Sequence, residues 1–275
     1  MIKDYKIPVQ NIRNELKQYL VSSGLKSLII GVSGGIDSAL CIALAEPICK
    51  ELGVELIGRS ITIKTNKPEE ISRSIQMGKN FCNDFAEIDL SPGFDMLEKS
   101  MMEDFQTADK NLHDYKIRVG NIKARTRMIY LYDLAGKHKG MVLSTDNYTE
   151  LLLGFWTLHG DVGDYGMIQN LWKTEVYAMS EYLVKNFEDK NKATALKSCI
   201  DAVPTDGLGI TNSDLDQIGA ESYAQVDEIL IDMLKNGDNS QYFNHKVLQR
   251  YRASMFKREN PYNLPRKNFT DIPVC

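Results

Sequence analysis

The sequence holds no apolar run approaching the ~20 residues needed to cross a bilayer, so a membrane-spanning helix is not expected. Its opening stretch, MIKDYKIPVQ, lacks the apolar segment of a secretory signal. Basic charge is not in excess: 33 Lys and Arg stand against 37 Asp and Glu, a formal net charge of −4, which offers no footprint for nucleic acid. The five cysteines (Cys41, Cys49, Cys82, Cys199 and Cys275) are scattered and show no C-x-x-C spacing, which argues against a disulfide framework and against a zinc site. Internal repeats and low-complexity segments are lacking too. These absences predict a soluble cytoplasmic protein with neither nucleic acid nor membrane as a partner. What remains is ordinary globular composition, 43% hydrophobic and 25% charged over 275 residues, enough for one large domain with a full core.

Strand-like and helix-like patterns alternate. Val9, Ile12, Leu16 and Leu20 have helical spacing, with Gly24 as the stop. Strands are predicted over 27–30, 54–63, 85–90 and 140–144. Helices are predicted over 38–52 (with a kink at Pro47), 67–81, 111–135, 149–156, 173–187, 213–234 and 242–257. SPG at 91–93 reads as a turn, 159–170 as a polar loop, and 258–275 as an extended tail rich in Pro and Asn. The pattern predicts an α/β fold, doubly wound, with a mainly parallel sheet and helices on both faces. Ligands in such sheets bind beyond the carboxyl ends of the strands, where Gly31, Arg59 and Thr145 fall.

The stretch GVSGGIDS (Gly31, Val32, Ser33, Gly34, Gly35, Ile36, Asp37, Ser38) joins an apolar strand to a helix. Such a junction aims backbone N–H groups and the helix dipole at one point, and suits an anion. Gly34 and Gly35 permit close backbone approach, and Ser33 and Ser38 add hydroxyls. The stretch fits neither G-x-x-x-x-G-K-[ST] nor G-x-G-x-x-G, so the Walker and dinucleotide Rossmann modes are disfavoured. Asp37 is then a puzzle, since it sets a negative charge where anions would bind.

SGGIDS resembles the pyrophosphate-binding loop of the ATP-pyrophosphatase superfamily, whose members cleave ATP between its α- and β-phosphates and adenylate an acceptor. Two further stretches, GNIKARTRM (120–128) and STDNYTELLLGFWTLHGDVGD (144–164), are similar to the ammonia-dependent NAD synthetase family. That resemblance implies an adenine nucleotide alpha-hydrolase-like fold in one unit spanning the chain. It implies amidation of nicotinic acid adenine dinucleotide (deamido-NAD) with ATP and ammonia, through an adenylated intermediate, releasing AMP and pyrophosphate. It also implies Mg²⁺ and a homodimer. A separate amidase domain with a nucleophilic cysteine is not expected, so free ammonia is the expected nitrogen source.

Carried over position by position, the resemblance makes Asp37, Glu150 and Lys173 catalytic, with Mg²⁺ on Asp37 and Glu150. ATP falls to Gly31 through Ser38, Arg59, Thr145, Lys173 and Thr205, and deamido-NAD to Asn121, Arg125, Asp164 and Lys257, with His159 as a substitute for a family lysine contact that is absent here. The chemistry agrees: a divalent cation with oxygen ligands reconciles several phosphates with two carboxylates, and the Arg125 guanidinium gives a permanent, bidentate charge. Lys173 opens a helix, a place that usually favours acids, which points to a functional task. Arg127 is read as structural. Departures exist: Leu158-His159 replaces Lys-Tyr, Phe256-Lys257 replaces His-Lys, and PTDGLGITNSDLDQIG replaces the commoner Pro-Thr-Ala-Asp-Leu pattern and is read as a mobile lid. Another adenylating amidotransferase of the superfamily, or an inactive ATP-binding sensor on the same fold, remain the alternatives.

Overall fold

The computed structural model describes residues 2–64, 66–101, 113–204 and 213–265. Five strands, β1 (Ser27–Gly31), β2 (Glu55–Thr62), β3 (Asp84–Asp89), β4 (Gly140–Ser144) and β5 (Tyr165–Gly166), form one sheet in the order β3-β2-β1-β4-β5. Every pairing is parallel. Strand order reverses between β1 and β4, so a crevice opens at their carboxyl ends.

The apolar strand runs serve both faces. Leu28, Ile30, Leu56, Met141 and Leu143 point into one core, and Ile29, Ile57, Ile61 and Val142 into the other. The first core is covered by α1 (Lys6–Ser23), α2 (Ile36–Leu52), α3 (Pro68–Phe81), α7 (Lys173–Asn186) and α8 (Lys190–Ile200). The second is covered by α4 (Ser91–Met101) and α5 (His113–His138). A third cluster lies apart from the sheet, among α6 (Tyr148–Leu153), α9 (Asp214–Ile218), α10 (Tyr223–Asn236) and α11 (Lys246–Ala253); α12 (Met255–Arg258) follows. The doubly wound α/β prediction therefore holds.

Local chemistry sets the boundaries. Gly24 ends α1 at φ 69°, its N–H donating to the Leu20 carbonyl. α2 runs through Pro47, whose missing N–H would orphan the Ala43 carbonyl; Arg13 donates to that oxygen at 3.2 Å. Four predictions need correction. SPG opens α4 rather than a turn, because proline is tolerated in a first turn and the Asp89 carboxylate accepts from the Ser91 N–H at 2.9 Å. α8 was not foreseen: its buried side is only Ala195, Leu196 and Cys199. The helix expected over 213–234 breaks at Gly219, φ 77°, and restarts at Ser222, whose side chain accepts from the Gln225 N–H. The helix expected over 242–257 begins only at Lys246 and is interrupted at Ser254. In the tail, residues 259–265 are exposed and outside any helix or strand. Thr205 and the rest of residues 205–212 within the 204–219 stretch read as a lid, residues 111–112 of the long helix and residues 266–275 of the tail lie outside the described residues.

Candidate active site

The loop after β1 is braced from behind. Val32 N–H donates to the Arg59 carbonyl at 2.8 Å, and Ser74 Oγ donates to the Val32 carbonyl at 2.7 Å. Gly34 is left-handed at φ +78°, and a Cβ there would stand 2.3 Å from the Glu70 carbonyl oxygen at the start of α3. Only glycine satisfies both demands. Ser33 Oγ and Ser38 Oγ are 2.9 Å apart. α2 begins at Ile36 without a side-chain cap at Gly35, so its first-turn amides keep their donors for a ligand.

Asp37 enters from that first turn. Lys173 Nζ donates to Asp37 Oδ2 at 2.5 Å and to Glu150 Oε1 at 2.9 Å. Asn147 completes the cluster. Its Nδ2 donates to Asp37 Oδ1 at 2.9 Å, and its Oδ1 caps α6 by accepting from the Glu150 N–H at 3.0 Å. The Lys173 side chain is 3% exposed, against 18% for Asp37 and 13% for Glu150. Burial, then Asp37, pushes the Glu150 carboxyl up to about 7 against the pull of Lys173. Burial alone would lower the Lys173 ammonium, but Asp37 and Glu150 hold it well above its usual value. The four residues come from α2, α6, α7 and the β4–α6 connection, with Asp37 110 residues from Asn147 and 136 from Lys173.

A cavity of about 610 Å³ opens over this cluster, lined by residues 31–38 except Gly34, and by Arg59, Thr145, Asn121, Glu150, Lys173 and Lys257. The other expected residues are placed differently. Arg59 lines the cavity, yet its guanidinium is held by Asp84, at 2.8 and 3.1 Å. Asn121 Oδ1 accepts from Thr157 Oγ1 at 2.8 Å, and Lys257 Nζ donates to the Gly154 and Trp156 carbonyls. Arg125, His159 and Asp164 do not line the cavity. Arg125 donates to the Leu158 carbonyl at 3.0 and 3.2 Å. Asp164 accepts from Tyr132 Oη at 2.8 Å and from the Val142 N–H at 2.9 Å, bracing the edge of β4. His159 is left-handed, φ 56°.

Several cavity residues escaped sequence reasoning. Asp146 is buried and, through burial and then Asp161, held well above the usual carboxylate range. Burial pushes Asp161 up to about 6, opposed by the Thr157 N–H and by Lys257. Arg127, read as structural, lines the cavity and donates to Asn66 Oδ1 at 3.3 Å. Trp156 also lines it, and its buried Nε1 has no acceptor among the described residues. Asn147, beside the cavity in the charged cluster, also escaped, although it carried a legible signal, the N-x-x-E capping box with Glu150.

Among the described residues no group of three or more His, Cys, Asp or Glu side chains is arranged to hold a metal. The Asp37 and Glu150 pair nonetheless fits Mg²⁺, which takes one or two carboxylates and completes its shell with water and substrate phosphates. The wider wall agrees: Asp146 and Asp161 add further carboxylates beside a loop shaped for phosphate, a combination that calls for added cations.

A family model described as NAD synthase matches residues 8–261. The NH(3)-dependent NAD(+) synthetase of Thermoplasma acidophilum is 33% identical over 267 residues, covering 95% of this chain and 98% of that protein. The solved NMN synthetase of Francisella tularensis superposes with TM-score 0.77 at 24% identity, covering 96% of this chain and 98% of its own. The NAD+ synthetase of Burkholderia pseudomallei gives TM-score 0.70 at 24% identity, covering 94% and 92%. These likenesses fix the fold as that of the NAD synthetases, adenine nucleotide alpha-hydrolase-like.

Proposed function

The chain belongs to the NAD synthase family of ligases, and from that premise we propose that it amidates deamido-NAD to NAD with ATP and ammonia. The supporting observation is the Asp37–Lys173–Glu150 cluster beside the uncapped start of α2. In this reading the acceptor carboxylate attacks the α-phosphorus, the bond to the β-phosphate breaks, and pyrophosphate leaves. Ammonia then adds to the acyl carbon and loses a proton as AMP departs with the bonding pair. The first-turn amides of α2 and the hydroxyls of Ser33 and Ser38 bind the departing pyrophosphate. Lys173 supplies charge as negative charge builds on the leaving oxygen. Mg²⁺ would be held by Asp37 and Glu150 and would screen the polyphosphate. In this reading Thr145 and Arg59 would contact ATP, and Asn121 and Lys257 the acceptor. Arg125, His159 and Asp164 would reach the dinucleotide from outside the cavity.

That last placement favours a second reading. With three expected dinucleotide contacts away from the cavity, the acceptor would instead be the mononucleotide acid; the Francisella neighbour is named an NMN synthetase. One assay separates the readings: ATP, Mg²⁺ and ammonium with either deamido-NAD or nicotinic acid mononucleotide, following the amide, AMP and pyrophosphate. A higher kcat/KM for deamido-NAD supports the first reading, and a preference for the mononucleotide sinks it. ATP binding with no amide from either acid would make the chain a sensor, and AMP formed only with another acceptor would make it a different amidotransferase. Glutamine replacing ammonium equally well would overturn the nitrogen donor. The proposal includes a cytoplasmic homodimer; Ile129 and Tyr132, apolar and exposed on α5, suit a subunit contact. Sedimentation showing only monomer would remove that part. No helix among the described residues is long and apolar enough to cross a membrane.

A further inference from the structure

Helix α10 contributes nothing to the cavity wall, yet two of its residues reach toward the catalytic cluster. Tyr223 and Asp227 are one turn apart and share a face. Asp227 is fully buried, and none of the ion pairs among the described residues includes it. Its Oδ1 accepts from Thr149 Oγ1 at 2.5 Å, and its Oδ2 accepts from Thr174 N–H at 2.9 Å and from Thr174 Oγ1 at 2.7 Å. Thr149 Oγ1 in turn accepts from the Lys173 N–H at 2.8 Å. Thr149 directly precedes Glu150, and Thr174 directly follows Lys173. One carboxylate therefore ties the start of α6 to the start of α7. Tyr223 adds its ring, whose centre is 5.1 Å from Lys173 Nζ, while its Oη donates to Asp214 Oδ2 at 3.1 Å.

Burying a carboxylate without a cation is unfavourable unless hydrogen bonds and a helix N-terminus compensate. Here both do, and all three donors belong to neighbours of the two reacting-site residues. A mere core contact would not need a charge at this point; a fixed register between two helix starts would. We propose that Asp227 is a positioning residue for the amidation reaction, holding Glu150 and Lys173 at their mutual 2.9 Å, with Tyr223 steadying the ammonium from below. The proposal rests on the ligase reading above.

Asp227→Asn keeps the shape but turns an amide N–H₂ toward donors. Loss of such orienting partners typically lowers activity about 10- to 100-fold. The expected result is a kcat fall of that size with KM for ATP changed less than about threefold, since the phosphate loop is untouched. Thr149→Val should behave likewise, and Thr149→Ser, which keeps the hydroxyl, should recover most of the rate. This threonine pair decides the matter where Asp227→Asn fails to fold. A readout independent of turnover is acylation of Lys173 by an amine-directed reagent, followed by mass spectrometry: slow in the native protein, several-fold faster in Asp227→Asn and Thr149→Val. Soluble variants with native kcat, unchanged Lys173 labelling and only a lowered melting temperature would overturn the proposal. Native protein that amidates no nicotinate acceptor would sink the ligase reading instead, and the labelling rates would then decide the positioning claim alone.

Discussion

Replacing Lys173 with Met keeps most of the side-chain volume and removes the charge that Asp37 and Glu150 share. Both carboxylates lie within ion-pairing distance of the ammonium, at 2.5 and 2.9 Å, and all three side chains are largely buried. Removing one partner of such a group costs about 3–5 kcal/mol, because uncompensated charge stays behind. The protein can recover part of this by taking up a proton on Glu150. That carboxyl already sits at about 7 through burial and Asp37, and loses its opposing influence with Lys173, so it rises further. The sign follows from linkage. A carboxyl raised above its unfolded value stabilises fully below that value and loses its contribution as pH climbs through the folded one. Native protein has lost the Glu150 contribution by about pH 7, whereas Lys173→Met goes on losing stability at higher pH. The deficit of the variant should therefore be level below pH 7 and grow by about 1.4 kcal/mol per pH unit above it. Urea unfolding of both proteins at pH 6, 7 and 8.5, with matched m-values, measures this. A deficit below about 1 kcal/mol, or one that stays flat between pH 7 and 8.5, would refute the buried three-charge reasoning.

Asn147→Ala should cost about 1–2 kcal/mol by thermal unfolding through loss of the α6 cap, whereas Asn147→Asp, which keeps the cap acceptor but opposes Asp37, should lower kcat more than the melting temperature. Gly34→Ala should raise KM for ATP and destabilise by more than the roughly 1–2 kcal/mol of a left-handed alanine, because its Cβ meets the Glu70 carbonyl. Gly24→Ala, equally left-handed at φ +69° but with nothing within 4 Å, should leave that KM untouched. Asp161→Asn should flatten the fall in stability between about pH 4 and 6, since burial raises this carboxyl to about 6 and its contribution is lost over that window; an unchanged slope in pH-dependent unfolding would exclude it.

The sequence carried the sheet, the strand–turn–helix at residues 31–38 and the presence of Asp37, Glu150 and Lys173, because each rests on local pattern. Apolar runs ending in turn residues mark β1, β2 and β4, and the lysine opening α7 stood out against helix-dipole preference. What was hidden depends on distance in sequence. α8 buries too few large side chains to show a helical stripe. β5 has two residues and exists only because β4 pairs with it. Asp227 reads locally as a charge on an amphipathic helix, and only the fold brings it to threonines on α6 and α7. The partners of Arg59 and Asp164 were equally out of reach: Asp84 holds the Arg59 guanidinium, and Tyr132 and the Val142 N–H hold the Asp164 carboxylate.

Asp37 and Lys173 grow from helices seated on the first core, whereas the helix carrying Glu150 is anchored by Leu152 and Leu153 in the third. The candidate site thus lies where the third cluster meets the first, with Tyr177 of α7 packed against both. Stiffening one cluster without moving it against the other should raise the melting temperature and leave the spacing of the three side chains unchanged. Any change that lets one slide against the other would spread the triad apart and act as a brake on catalysis, with no substitution in the cavity itself.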